Sequence, residues 1–210
     1  ISLTRDQFGI PHIKASNISD ATWGLGYVHA LDRPMEMLLM RILGQGRACE
    51  CLQDTPETLE IDRFFRRANW FGNPDAQIAK LTGHATEICQ AYCSGVNAAI
   101  LKKTPWEFKL IGYRPEPWCI GDILLLTRMT GYLTLAQSQE EVERFFVELV
   151  QAGVDDDRLE ALFPGCTVGL HRELIEKIRL GFRIVPDSIK WQCPIPRLMA
   201  SNNWVVSGEK

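Results

Sequence analysis

The chain has 210 residues, of which 46% are hydrophobic and 23% charged, and its formal net charge is −3. These proportions allow an ordinary hydrophobic core and argue against a nucleic-acid surface, which needs clustered positive charge. No apolar run approaches the roughly 20 residues of a membrane-spanning helix. The chain starts at Ile1 rather than methionine and stops at Lys210 without a closing element, so we expect it to be a piece of a longer protein.

The predicted elements are mostly helical, with extended segments at both ends. Residues 1–15 predict a hairpin with its turn at residues 6–9, because apolar and polar residues alternate along the strands and Gly9 stands at the end of the turn. A helix capped at Ser19 and Asp20 is predicted to run to Ala30, and Asp32 is the predicted N-cap of the next helix, which ends near Leu43. The periodicity predicts further helices at about 57–71, 75–102 (with an interruption near Gly83), 120–136, 139–151 and 171–180.

Seven cysteines give an odd count, and their spacing fits no zinc site. Two of them, four residues apart on one predicted helix face, are too far apart at Cβ for an easy bridge. We therefore expect unpaired, mostly buried thiols, which weakly favours a reducing compartment. The seven are Cys49, Cys51, Cys89, Cys93, Cys119, Cys166 and Cys193.

Several other features predict structure rather than chemistry. Gly24 and Gly26 lack the third glycine of a dinucleotide-binding loop, so we interpret them as helix-packing positions. The three aspartates at residues 155–157 are interpreted as a helix start, where they cap and complement the dipole. The histidines have no metal-ligand spacing, so we assign no residue to a metal; they are His12, His29, His84 and His171.

Five segments, in order along the chain, resemble the penicillin acylase family of N-terminal nucleophile hydrolases. DQFGIPHI at residues 6–13 is similar to the opening α-chain motif of that family. GLGYVHALDRPMEM at residues 24–37 and GQGRACE at residues 44–50 resemble the second and third motifs. RPEPW at residues 114–118 matches a position before the pocket helix, and SNNWVVSG at residues 201–208 resembles the start of the β chain.

The resemblance implies an α+β protein: the mostly helical α-chain portion of an αββα fold, with short strands at both ends. Family members are made as one precursor and cut themselves before the β-chain serine. The implied organisation is an α-chain-like region at 1–181, a proline-bearing spacer at 182–200 and the start of the β chain at 201–210. The implied scissile bond joins Ala200 to Ser201, where the family more often has glycine before the serine.

The resemblance makes Ser201 the catalytic nucleophile, although a serine there would otherwise be an ordinary surface residue. A serine hydroxyl needs a nearby base, and cleavage before Ser201 would free its own α-amine for that role. Such an amine has an unperturbed pKa of about 7.7–8.0, so a substantial neutral fraction exists near pH 7–8. The oxyanion donors of the family come from the β chain, beyond Lys210.

The resemblance also predicts part of an acyl-binding pocket. Met129 and Leu133 fall on the pocket helix, at positions that line the acyl side; ordinary helix core is the alternative. An aliphatic residue at 133 favours an aliphatic acyl chain over phenylacetyl. Some family members bind structural calcium through a glutamate that here corresponds to Gln139, beside Glu140 and Glu141, which weakens the expectation of calcium. The chemistry itself requires no cofactor.

Arg33 and Arg47 lie within two of the motif segments. We interpret them as members of buried ion pairs, with a role in precursor processing as the alternative.

Two functions from different classes follow. The first is an amidohydrolase that cleaves an acyl amide, either a penicillin-type side chain or a long-chain amide such as an acyl-homoserine lactone. Its partners would be the remaining β chain of the same precursor and a small-molecule substrate; neither a nucleic acid nor a membrane is expected as a partner. Its expected location is the periplasm or the extracellular space, with the cytoplasm as the alternative. The second is a non-catalytic binding or assembly module in which Ser201 is never freed. The fragment alone is expected to be inactive.

Overall fold

A computed structural model of the protein describes residues 1–102, 104–132 and 137–181. The chain divides into two compact units, Ile1–Met129 and Thr130–Lys210. Helices dominate the described residues of both units, and the sheet that the structure describes has two strands. This agrees with the expected mostly helical α+β class. Within the described ranges, no helix combines the length and apolar character needed to cross a membrane.

The predicted hairpin at the start of the chain is confirmed. Strand β1 (Ser2–Arg5) pairs antiparallel with β2 (Pro11–Lys14), with Arg5 opposite Pro11. The Asp6 carboxylate accepts hydrogen bonds from the backbone N–H groups of Phe8 and Ile10, both at 2.9 Å. Gly9 has a φ of +78°, which closes the turn in a conformation that favours glycine.

Helices α1 (Ile18–Asp32) and α2 (Pro34–Gly44) follow, with caps that differ from the prediction. Asn17, not Ser19 and Asp20, caps α1: its side chain accepts from the Asp20 N–H at 2.8 Å. The predicted cap of α2 is also wrong, because Asp32 is the last residue of α1 and no side chain caps α2. Asp32 instead forms a 2.5 Å ion pair with Arg5, which ties the hairpin to α1.

The most extensive helix contact described in the first unit joins α1 to α6 (Gly83–Ile100). A Cβ at Gly26 would lie 2.2 Å from the carbonyl oxygen of Tyr92, and one at Gly95 would lie 2.0 Å from that of Trp23. A Cβ at Gly24 would lie 2.8 Å from the Ile13 side chain of β2. The packing interpretation of Gly24 and Gly26 is therefore confirmed.

Most of the remaining predicted helices are present with shifted ends. The first unit adds α3 (Ala48–Cys51), α4 (Pro56–Ala68), α5 (Pro74–Ile78), α7 (Trp106–Leu110) and α8 (Ile120–Gly131). The predicted helix 57–71 ends early because Asn69 adopts a left-handed conformation with φ 53°. The predicted helix 75–102 is interrupted just before Gly83, as expected. Helix α8 agrees with the start of the predicted 120–136, and residues 133–136 lie outside the described part.

The core of the first unit lies between α2, α6, α7 and the start of α8. Its members are apolar side chains at helical spacing, and they bury the inward face of each helix. The fully or nearly fully buried ones include Leu38, Ile42, Val96, Ile100, Phe108, Trp118 and Ile120.

The described residues of the second unit include α9 (Gln137–Gln151), α10 (Asp156–Leu162) and α11 (Arg172–Glu176). The side chain of Asp155 accepts from the Arg158 N–H at 2.9 Å, which confirms the capping interpretation of the aspartates. Helix α11 is shorter than the predicted 171–180. Arg172 joins α11 to α10 through a 2.8 Å contact with Asp156. The predicted spacer at 182–200 and the strand at 201–208 lie outside the described residues.

None of the six described cysteines forms a disulfide, in agreement with the expectation of free thiols. The expectation of burial holds for Cys93, whose pKa burial raises to about 12. It is wrong for Cys119 and Cys166, which are exposed on the segments before α8 and after α10. Cys193 lies outside the described residues.

Candidate functional site

Two of the motif segments meet in one group of charged side chains, which we call the arginine–carboxylate network. It consists of Arg41, Gln45, Arg47, Glu50, Glu116 and Asp122. Residues 44–50 lie at the end of α2 and in α3, while residues 114–118 lie in the segment before α8. The network therefore joins the end of α2 to the start of α8, far apart in sequence.

Arg41 lies at the centre of this network and is 1% exposed. Its guanidinium donates to the Glu116 carbonyl at 3.1 and 3.2 Å, to the Pro117 carbonyl at 3.4 Å and to the Tyr113 hydroxyl at 3.3 Å. It also lies over the Trp118 ring, 5.2 Å from the ring centre. A planar guanidinium can make several such contacts at once, so Arg41 fastens the segment 113–118 to α2.

Asp122, 2% exposed, supplies the counter-charge to Arg41 at 3.5 Å. Its second role is to begin α8, because it accepts from the backbone N–H of Cys119 at 2.9 Å. Gln45 donates to the same carboxylate at 3.0 Å. A buried carboxylate is tolerated when it is paired and hydrogen-bonded in this way.

Arg47 forms the outer half of the network, between two carboxylates. It contacts Glu50 at 2.6 Å and Glu116 at 2.8 Å, and it donates to the Gln45 side-chain oxygen at 3.3 Å. These bonds from Arg47 lower the pKa of both Glu50 and Glu116. The predicted ion pairing of Arg47 is confirmed, with a partly buried side chain. Buried pairing is wrong for Arg33, which is 70% exposed and lies 3.5 Å from Glu36.

Asn97 on α6 holds the same segment from the other side. Its amide donates to the Trp118 carbonyl at 2.9 Å and accepts from the Trp118 N–H at 2.6 Å. Two buried nitrogens, Nε of Arg41 and Nε1 of Trp118, have no hydrogen-bond partner among the described residues. The network contains no hydroxyl or thiol group, and its carboxylates are all paired with arginines. These contacts position the start of α8.

Arg41, Asp122 and Asn97 are not among the residues that the sequence singled out. The available signal is a charge inside an apolar helical run, since Arg41 interrupts the buried stripe of α2 formed by Leu38 and Ile42. A charge at such a position predicts a buried partner.

Of the predicted site residues, Ser201, Ala200 and Leu133 lie outside the described residues. Met129 is fully buried near the end of α8. Its sulfur packs against Gly44 of α2, so close that a Cβ on Gly44 would overlap it, and the Leu125 methyl groups lie 3.0 Å from the same Cβ position. This position is the one expected of helix core, and a role for Met129 in substrate binding stays a prediction.

The described residues offer no metal site. Among them, no three histidine, cysteine, aspartate or glutamate side chains lie close enough to hold a metal ion. His12 contacts Asp6 at 3.2 Å, and His29 contacts the Tyr92 hydroxyl at 3.0 Å. At the position where calcium was considered, the Gln139 side-chain amide donates to Glu143 at 2.6 Å. The expectation that calcium is doubtful at this position stays a prediction.

Comparison with known proteins gives one consistent family. The model of the family described as "Penicillin amidase" matches residues 1–210. An acyl-homoserine lactone acylase QuiP from Pseudomonas aeruginosa is 34% identical over 225 residues, covering 100% of this chain and 26% of that protein. The penicillin acylase 2 proenzyme of Pseudomonas sp. is 38% identical over 135 residues, covering 63% of this chain and 17% of that protein.

The fold agrees with these matches. A thermostable penicillin G acylase from Alcaligenes faecalis superimposes with a TM-score of 0.59 at 22% identity, covering 88% of this chain and 96% of that chain. The acyl-homoserine lactone acylase from Pseudomonas aeruginosa matches the whole of this chain, and the chain spans about a quarter of the length of that relative. On the family match across all its residues, this chain belongs to the penicillin amidase family.

Proposed function

We propose that the chain is part of an amidohydrolase that cleaves acyl amides through the N-terminal serine Ser201. The observation that carries the proposal is the position of SNNWVVSG, at residues 201–208, within a chain that matches the penicillin amidase family over residues 1–210. Relatives named as acyl-homoserine lactone acylase and penicillin acylase support an amide as the bond that is cleaved.

Ser201 is proposed to be freed by the chain itself. Its Oγ attacks the carbonyl carbon of Ala200, the peptide C–N bond breaks, and the α-amine of Ser201 takes up a proton as an ester forms. Water then hydrolyses this ester, which restores the hydroxyl and releases the Ala200 carboxylate. The name "proenzyme" of one relative supports maturation from a longer precursor.

The freed α-amine then acts as the base for the substrate. Through a water molecule it takes the proton of Oγ while the oxygen attacks the amide carbonyl, an acyl-enzyme forms, and the amine product leaves with that proton. A second water releases the acid. The oxyanion that develops needs preorganised donors, which we expect from the part of the precursor beyond Lys210. No cofactor is needed for these steps.

The acyl group is proposed to be a long aliphatic chain, as in an acyl-homoserine lactone, with a penicillin-type side chain as the second substrate class. The support is the aliphatic Leu133, four residues after Met129 on the same helix face by sequence. The proposed location is the periplasm or the extracellular space. The chain of residues 1–210 alone is proposed to be inactive, because it lacks the donors and a freed Ser201.

The test compares two serine variants of the full-length protein. Ser201→Ala should leave one uncut chain on a denaturing gel and abolish hydrolysis of a chromogenic acyl amide. The matched control Ser207→Ala, which changes a serine in the same segment, should give two chains and retain activity. One uncut chain in the unchanged protein, with no hydrolysis, would contradict the proposal and favour a non-catalytic module.

A further inference from the structure

Gly44, the last residue of α2, lies in direct contact with the side chain of Met129 on α8. The Met129 sulfur occupies the space that a Cβ on Gly44 would need, and both methyl groups of Leu125 lie 3.0 Å from the same Cβ position. Leu125 and Met129 are four residues apart, so they share a face of α8, and both are fully buried. This face of α8 therefore rests on the end of α2, at the one position of that contact that has no side chain.

The backbone does not require a glycine at position 44. Gly44 lies within the helical range of α2 and does not have a positive φ, in contrast to Gly46, whose φ of +64° favours glycine. Glycine is also a poor helix former, whereas alanine is the best. Neither a turn nor helix propensity accounts for the glycine, so its role lies in packing, where its missing side chain makes room for the Met129 sulfur.

Polar contacts close to Gly44 hold α2 and α8 together. Gln45 donates to the Asp122 carboxylate at 3.0 Å, and Arg41 lies 3.5 Å from the same carboxylate. The Met129 side chain, in contrast, is unbranched and has three rotatable bonds, so it adapts readily to a changed neighbour. A methyl group added at position 44 would therefore displace the Met129 side chain more readily than it would separate the two helices.

We infer that Gly44 is a positioning residue that sets the length of the acyl chain that the protein accepts. By leaving room against α2, Gly44 keeps the Met129 side chain on the α2 side of α8. A side chain pushed out of this position moves away from α2, toward the acyl group, and shortens the space for that group. The inference rests on the proposed function and on the predicted role of Met129 in substrate binding.

The test measures kcat/KM of the full-length protein for the p-nitroanilides of decanoic and butanoic acid. We expect Gly44→Ala to lower the decanoyl-to-butanoyl ratio of kcat/KM at least about tenfold, since one methylene in an apolar pocket changes this quantity by roughly 10–200-fold. The double variant Gly44→Ala with Met129→Ala should recover the ratio, because the displaced side chain is then removed. The matched control is Gly24→Ala, whose added Cβ meets the Ile13 side chain of β2 at 2.8 Å and should leave the ratio unchanged.

A second measurement reports on the same contact without hydrolysis. The methionine methyl groups are isotope-labelled and followed by NMR, and the Met129 signal is identified by its loss in Met129→Leu. Decanoate should shift this signal in the unchanged full-length protein. In Gly44→Ala, about tenfold more decanoate should be needed for the same shift, whereas Gly24→Ala should need the same amount as the unchanged protein.

Three results would overturn the inference: an equal loss of kcat/KM for both acyl lengths in Gly44→Ala, a double variant that does not recover the ratio, or a Met129 signal that decanoate does not shift in the unchanged protein. The third result needs no substitution, so it decides the matter even where a variant fails to fold. An uncut, inactive protein whose Met129 signal still responds to decanoate, with weaker binding in Gly44→Ala, would refute the proposed function and retain the role of Gly44 in acyl binding.

Discussion

The contact between α1 and α6 gives the sharpest stability prediction. An alanine at Gly26 would place its Cβ 2.2 Å from the Tyr92 carbonyl oxygen, and an alanine at Gly95 would place it 2.0 Å from that of Trp23. Backbone atoms cannot rotate away, so the helices must separate by more than about 1 Å to restore ordinary contact. Overpacking of this kind costs about 1–3 kcal/mol, and the better helix propensity of alanine returns at most about 1 kcal/mol.

Two other glycines in the same unit serve as controls. At Gly24 the obstacle is the Ile13 side chain at 2.8 Å, which can move, and at Gly83 nothing lies within 4 Å. Thermal unfolding of the full-length protein should therefore show a clear destabilisation for Gly26→Ala and Gly95→Ala, a small change for Gly24→Ala and none or a slight stabilisation for Gly83→Ala. Equal melting temperatures for Gly26→Ala and Gly83→Ala would refute the packing argument.

Three further predictions concern the charged network, the pocket and the thiols. Asp122→Asn leaves the Arg41 guanidinium buried without its counter-charge and should lower the free energy of unfolding in urea by about 3–5 kcal/mol. The second substitution Arg41→Met should recover part of this stability, and no recovery would contradict the ion pair. Leu133→Phe should lower kcat/KM for long aliphatic amides at least about tenfold relative to phenylacetyl amides, whereas unchanged ratios would place this residue in the core. A pKa of about 12 keeps Cys93 protonated at pH 8, so iodoacetamide should modify the exposed Cys166 first; equal rates would contradict the burial of Cys93.

Local signals in the sequence predicted the local structure. The hairpin follows from Gly9 and the alternation around it, and the start of α10 follows from Asp155. The prediction for Asp32 failed because α1 continues through Asp32, whose carboxylate pairs with Arg5, 27 residues earlier in the chain. The sequence around Asp32 indicates neither the full length of α1 nor this long-range partner.

Arg41 inside the apolar run of α2 indicates that a buried partner exists, but the sequence does not identify that partner, because the contact is long-range. Arg41 and Asp122 lie on different helices, and nothing near either residue in the sequence indicates the other. The motif segments 44–50 and 114–118 predicted the family, which the family match confirms. Their physical role, as two sides of one network that positions α8, became evident only in the structure.

Ser201 is proposed to become the first residue of a separate chain. N-terminal sequencing of the smaller and larger products of the purified full-length protein tests this cleavage directly. We expect one product to begin Ser-Asn-Asn-Trp, from cleavage between Ala200 and Ser201, and to be absent from Ser201→Ala. A mature chain that begins at any other residue, or an active protein that is never cut, would contradict cleavage at Ser201.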